Sequence, residues 1–238
     1  MRLSYFSSKL ALAVLLAGSV GLSACTSSGT SSSNAPNGKI AEEKVDEDRV
    51  LQIGRDRSHV TRSGEVYLMR GLLNVFSRGM DVMAGRMRAK GFDAISYNHA
   101  DWMPYARDIV ERSKRKQVSY PIIIMGHSLG GNEAPKMANY LAANGVNTAL
   151  IVTFDPTETQ TVGPGIDTVI NYYLPNGRNV IQKARGFTGS LSNVDVSGIP
   201  EIEHVNVEKN TGLQNKSIER SMKLTKTIKV NQNVAKRR

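Results

Sequence analysis

Residues 126–131 read Gly-His-Ser-Leu-Gly-Gly, so Ser128 stands between glycines placed two positions to either side. A serine held in a tight turn projects its hydroxyl clear of the backbone. Side chains at the flanking positions would then collide with the elements entering and leaving the turn, and glycine relieves that crowding. Tyr120 to Met125 (Tyr-Pro-Ile-Ile-Ile-Met) is a continuous apolar, β-branched run, which predicts a strand buried on both faces. After the serine, Ala134, Met137, Ala138, Leu141 and Ala142 recur at helical spacing, and Asn144-Gly145 closes the pattern. A strand–turn–helix of this kind sets the hydroxyl at a helix N-terminus, whose free N–H groups and positive dipole end favour developing negative charge. The chemistry it suits is nucleophilic attack on an acyl carbon, which further needs a general base and a carboxylate to orient that base. The plain alternative is a structural serine in a tight turn.

Other elements must bring the base and the carboxylate to this serine. Val66 to Leu72 predicts a first strand, and Met80, Met83, Ala84 and Met87 mark one face of a helix with Gly91 at its C-cap. Phe92 to Tyr97 predicts a second strand, followed by a helix N-capped by Asp101 that buries Tyr105, Ala106, Ile109 and Val110. Further strands are predicted over Thr148 to Phe154, Thr168 to Leu174 and Leu191 to Val196, with a last amphipathic helix from Leu213 to Val230. Strands alternating with helices imply an α/β fold, a mostly parallel sheet with helices on both faces. Pro135 falls inside the helix after the serine, where it should kink or delay it. No Gly-rich phosphate loop follows any strand, and four scattered histidines with one cysteine give no metal-ligand pattern, so neither cofactor nor metal is expected.

From Val66 to about Val230 the chain resembles the α/β-hydrolase superfamily, in its small lipase- and thioesterase-like branch, and Gly-His-Ser-Leu-Gly-Gly is a form of the elbow common among lipases. The resemblance implies an acyl-enzyme mechanism with a catalytic triad in the chain order serine, acid, histidine. His204 is the one histidine that follows Ser128; His59 and His99 precede it, and His127 lies in the elbow itself, pointing away. The acid is Asp155, at the carboxyl end of the strand after the nucleophile strand, or Asp195, one strand later; strand-end position favours Asp155. Asp167 comes too early, before its strand. The resemblance places the oxyanion hole at the backbone N–H groups of Leu129 and Leu72. Only about a dozen residues separate Asp155 from Thr168, so no cap domain is expected. Leu73, Val75, Phe76, Trp102, Met103 and Leu174 are candidate walls for an acyl chain, or simply core. The implied substrates are acyl esters or thioesters. The same triad would also serve an acyltransferase, and a non-catalytic lipoprotein using the fold as a binding module is the reading from another class.

Ahead of this domain, Arg2 and Lys9 precede an apolar run from Leu10 to Val20 that is short for a membrane span. Leu22-Ser23-Ala24-Cys25 follows and resembles the bacterial lipobox, which implies removal of residues 1–24, acylation of Cys25 and anchoring to a membrane lipid layer of the bacterial cell envelope. An ordinary cleaved signal peptide, with Cys25 a bystander, is the alternative. Residues 25–38 then form the lipidated cysteine with a Ser-rich tether of about 20 Å reach. Residues 39–65 are a charged lead-in, with a short helix around Ile40 to Leu51; 66–232 are the hydrolase domain and 233–238 a basic tail. Losing residues 1–24 would leave 29 basic against 21 acidic residues, a net charge of +8. The C-terminal share of that excess suits either attraction to anionic head groups or a solvated helix face with a frayed tail. No aromatic-rich basic motif supports nucleic-acid binding.

Overall fold

The computed structural model describes residues 57–72 and 77–228. Along the chain run β1 (Glu65–Arg70), α1 (Arg78–Ala89), β2 (Asp93–Asn98), α2 (Trp102–Lys114), β3 (Ile122–His127), α3 (Leu129–Ala143), β4 (Thr148–Phe154), β5 (Gln160–Val162), β6 (Thr168–Tyr173), β7 (Ile181–Lys183), β8 (Ser190–Asp195) and α4 (Thr211–Leu224). Six strands form a sheet in the order β2-β1-β3-β4-β6-β8, every pair parallel. Parallel sheets need both faces covered, and two apolar clusters do this. One joins Ile109, Met137 and Leu141 of α2 and α3 to Tyr67, Ile124 and Ile151 of the sheet. The other joins Met80, Met83 and Met87 of α1 and Leu213 and Ile218 of α4 to Leu68, Ile123 and Val152. The α/β architecture read from the sequence is therefore the one observed, with no cap inserted between β4 and β6. The residues from Glu43 onward form a unit of their own, and both clusters lie wholly within it.

Several local expectations differ. The first strand stops at Arg70, so Gly71 and Leu72 belong to the loop beside the serine. Asp101 does not cap α2 with its side chain; a 3-10 turn over His99–Asp101 intervenes, and Asn98 caps that turn by accepting from Ala100 N at 3.0 Å. Helix α3 runs unbroken through Pro135, which is buried. The last helix ends at Leu224, well short of Val230. Thr225 is extended, and Ile228 N donates to Thr61 O at 2.8 Å, so the β-branched Thr225, Thr227 and Ile228 leave the helix to pair with the start of the domain. Residues 57–64, counted with the charged lead-in, are thus tied into the domain. No helix separates β4, β6 and β8; β5 and β7 pair with one another as a separate parallel ribbon, burying Val162 and Ile181. The helix expected around Ile40 to Leu51, the segment bearing Cys25, and the basic tail lie outside the described residues.

Candidate active site

Strand β3 delivers Ser128 to the carboxyl edge of the sheet near its centre, where φ 58° and ψ −121° hold it in a region that non-glycine residues rarely occupy. Such strain costs on the order of 1–3 kcal/mol and persists only where the surroundings enforce it. They do so here. A Cβ on Gly126 would stand 2.0 Å from the Gly130 carbonyl oxygen, and one on Gly130 2.4 Å from that of Met69. A Cβ on Gly71 would meet the Ser128 Cβ at 2.9 Å, so a third glycine lets the loop after β1 close onto the serine. The ladder of α3 begins with Asn132 N donating to Ser128 O at 3.1 Å, which leaves the N–H groups of Leu129, Gly130 and Gly131 ahead of it.

Three side chains from three separate loops converge at this edge. His204 Nε2 lies 3.0 Å from Ser128 Oγ, and His204 Nδ1 lies 2.6 Å from Asp155 Oδ2. Asp155 is 3% exposed and follows β4 directly, with φ 46°, a conformation aspartate tolerates better than most residues. Its second oxygen accepts from Leu174 N at 2.9 Å and Asn179 Nδ2 at 2.7 Å. An ionised carboxylate only accepts, so Nδ1 of His204 carries the proton and Nε2 turns its lone pair to the serine hydroxyl. The imidazole is the open member of the trio, its side chain 42% exposed.

The other candidates lie elsewhere. Asp195 ends β8 exposed at the rim, where the Ser197 hydroxyl and then the Ser197 N–H, which donates at 2.8 Å, hold its pKa down. Asp167 N bonds the carbonyl of Thr148, the first residue of β4, at the opposite edge of the sheet. Gly71 spends its N–H on Ser77 Oγ, so Leu72 is the next donor available in that loop. Of the proposed walls, Leu73, Val75 and Phe76 lie outside the described residues. Trp102 packs into the core edge-on to Tyr140, and Leu174 borders the other cluster while its N–H holds Asp155.

Two partners of the site carry no motif. Asn179 is fully buried, and its backbone carbonyl is bonded by Asn171, which is bonded in turn to Thr153 of β4; this polar ladder fixes the amide beneath Asp155. His127 is the second. Its Nε2–H donates to the His204 carbonyl at 2.7 Å, and its Nδ1 therefore accepts from Ser77 Oγ at 2.7 Å, while that hydroxyl accepts from Gly71 N at 2.8 Å. Burial pushes this imidazole down to about 4, so it is neutral, as the pattern of donors requires. His127 thereby links the loop after β1, the elbow and the loop carrying His204. The signal lay in the continuous burial of β3, because a histidine in a doubly buried strand must find partners.

A mutation test separates positioning from mere packing. His127→Ala should lower kcat by about a hundredfold with little change in KM, the effect of a small displacement of reacting groups. His127→Gln reaches the place of Nε2 and keeps the His204 link; His127→Asn reaches the place of Nδ1 and keeps the Ser77 link. Each should recover part of the loss. A fall in Tm with kcat unchanged would leave His127 a packing residue only.

Beside this histidine, fully buried Glu208 sits with its carboxylate 3.6 Å from His127 Nε2 and its chain packed against Gly79 in the first turn of α1. Burial pushes its pKa up to about 7, against smaller lowering by its own backbone, Lys209 and the Gly79 backbone. The folded state thus holds a proton that the unfolded state releases near 4.5, and stability is lost as pH rises from there through about 7. His127 acts in the opposite sense, losing stability as pH falls from 6.5 toward 4. Glu208→Gln should therefore raise Tm at pH 8 by roughly 5 °C and change it little at pH 4.5. Calorimetry showing the same shift at both would refute that account.

The family model for lipase (class 3) matches residues 53–165, just under half of the chain, a span that takes in the elbow and Asp155 and stops before His204. No curated protein matches. Among solved structures, the chain is similar to a hydrolase of the alpha/beta superfamily from Xanthomonas campestris pv. campestris, at 12% identity and a TM-score of 0.42, covering 68% of this chain and 98% of that one. Over residues 53–165 the chain is thus similar to class 3 lipases, and its own sheet and helices give it an α/β fold.

Proposed function

We propose that this protein is a serine hydrolase that cleaves carboxylic esters or thioesters by way of an acyl-enzyme. The observation that carries the reading is the unbroken relay from Ser128 Oγ through His204 to Asp155, mounted on a strained serine at a helix N-terminus. His204 takes the serine proton as Oγ attacks the acyl carbon, and Asp155 stabilises the imidazolium that forms. The N–H groups of Leu129 and Leu72 receive the oxyanion. His204 then hands its proton to the departing alcohol or thiol, and water attacks the acyl-enzyme with the same histidine as base. Only the three-residue β5 and its turns lie between β4 and β6, with no cap domain, which suits a substrate reaching the site from a surface. Acylation of Cys25 would tether the domain to a membrane of the bacterial envelope, and Cys25→Ser should then release the protein from the membrane fraction. Retention of that variant on membranes, or no uptake of labelled fatty acid by the wild type, removes the anchor from the account.

The reaction is tested with a panel of p-nitrophenyl esters and acyl thioesters, with and without acceptor alcohols. Release of free acid in the absence of an acceptor is expected. Turnover only when an acceptor alcohol is present would make the protein an acyltransferase, and no turnover on any member would favour a binding module.

A further inference from the structure

Helices α1 and α4 share one face of the sheet, and between them lies a groove of about 490 Å3 lined by Arg78, Val82, Arg86, Lys209 and Gln214. Two of its cations, Arg86 and Lys209, are held by uncharged oxygens rather than by carboxylates. Gln214 is buried, with its amide nitrogen bonded to the carbonyls of Gly79 at 3.1 Å and Glu208 at 2.7 Å, and this turns its oxygen to Arg86 at 2.7 Å. The other arm of Arg86 meets the side-chain oxygen of Asn215. Lys209 Nζ donates to the Val205 carbonyl at 2.9 Å. Among the described residues no carboxylate lies within ion-pair distance of Arg86 or Lys209. Arg78 shares Asp81 at 3.6 Å, but Arg70 holds that carboxylate at 2.7 Å.

On the opposite face three cations are ion-paired. There Arg112 pairs with Glu65 and Asp108, Lys114 with Glu111, and Lys136 with Glu133. Along α1, Arg78, Val82 and Arg86 recur every four residues, so they form one stripe with an apolar side chain, 58% exposed, at its middle. Lys216, Arg220 and Lys223 of α4 add exposed positive charge, against Glu219 alone on that helix. The groove also adjoins the reacting centre. Arg78 follows Ser77, which holds the loop after β1, and Lys209 holds the carbonyl of the residue after His204. Leu72 and Val205, from those same two loops, are exposed apolar side chains.

Cations held mainly by uncharged groups in a concave site, interleaved with exposed aliphatic side chains, match the phosphate and upper acyl layer of a lipid surface. We propose that the α1/α4 face docks on an anionic phospholipid bilayer, with a head-group phosphate in the groove between Arg78, Arg86 and Lys209. Docking there presents the loops around Ser128 to the lipid, and only this consequence rests on the hydrolase reading. The groove has no aromatic side chain on which a nucleic-acid base would stack.

The test uses residues 43–238, which hold both core clusters and lack Cys25, in sedimentation with vesicles of phosphatidylcholine alone or mixed 3:1 with phosphatidylglycerol. Binding to the mixed vesicles only, released by about 0.5 M NaCl, is expected. Each charge near an anionic surface contributes about fivefold, so Arg78→Gln/Arg86→Gln/Lys209→Gln should weaken binding on the order of a hundredfold. Arg78→Gln alone, at a side chain that is 73% exposed and no part of the core, should weaken it about fivefold. The matched triple Arg107→Gln/Lys114→Gln/Lys136→Gln on the other face should cost far less. Equal binding to both vesicles, equal losses in the two triples, or displacement of the protein from vesicles by duplex DNA would each overturn the proposal. No arm depends on turnover, so a failed docking surface and a failed triad are read separately.

Discussion

Ser128→Ala should remove essentially all ester turnover, on the order of a millionfold in kcat, and His204→Ala should do the same. Combining them should cost little more, because nucleophile and base act as one unit: without the imidazole the hydroxyl keeps its proton, and without the hydroxyl the imidazole has nothing to activate. Both variants should fold. Ser128 sits at a φ that alanine tolerates no better and no worse than serine, and His204 is the exposed end of the relay. Steady-state kinetics on a p-nitrophenyl ester, with Tm measured alongside, checks this. Losses that multiply in the double variant would mean that the two residues act in separate steps.

The second large effect belongs to the acid. Asp155→Asn should lower kcat about ten-thousandfold with Tm nearly unchanged, by analogy with other triads. Leu174 N and Asn179 Nδ2 both donate to Oδ1, so an asparagine at 155 would keep its carbonyl oxygen there and turn its NH2 to His204. The imidazole must then present Nδ1 as acceptor and carry its proton on Nε2, the wrong tautomer for a base. Asp195→Asn should change kcat by less than about twofold, since that carboxylate is exposed and bonded only to its own turn. Reversed results would move the acid one strand later and leave the roles of Ser128 and His204 standing.

The elbow was legible because its constraint is steric and local. Only glycine fits at 126 and 130, where a Cβ would fall within 2.4 Å of a backbone oxygen, so the pattern survives in the residue types themselves. The buried strands were legible for a similar reason: Thr148–Phe154 is apolar and β-branched along almost its whole length, and the observed strand has the same limits. His204 could be named by exclusion once the order of the triad was taken from the resemblance. Asn179 could not. It lies in a loop of polar and turn-forming residues, and its role comes from a ladder through Asn171 and Thr153 that only the sheet register creates. The ribbon of β5 and β7 escaped because three-residue strands show no periodicity. The end of α4 was misjudged because Lys223, Lys226 and Lys229 continue a helix-like charge pattern, while tertiary pairing of Thr227 with Arg62 ends the helix.

The central claim is that Ser128 is a nucleophile made reactive by His204 and Asp155, and a fluorophosphonate probe followed by peptide mass mapping tests it most directly. The account predicts stoichiometric phosphonylation on the peptide containing Ser128, no labelling of Ser128→Ala, and labelling slowed by orders of magnitude in His204→Ala. A folded wild-type protein that takes up no probe at Ser128, or labels as fast without His204 as with it, would contradict the account.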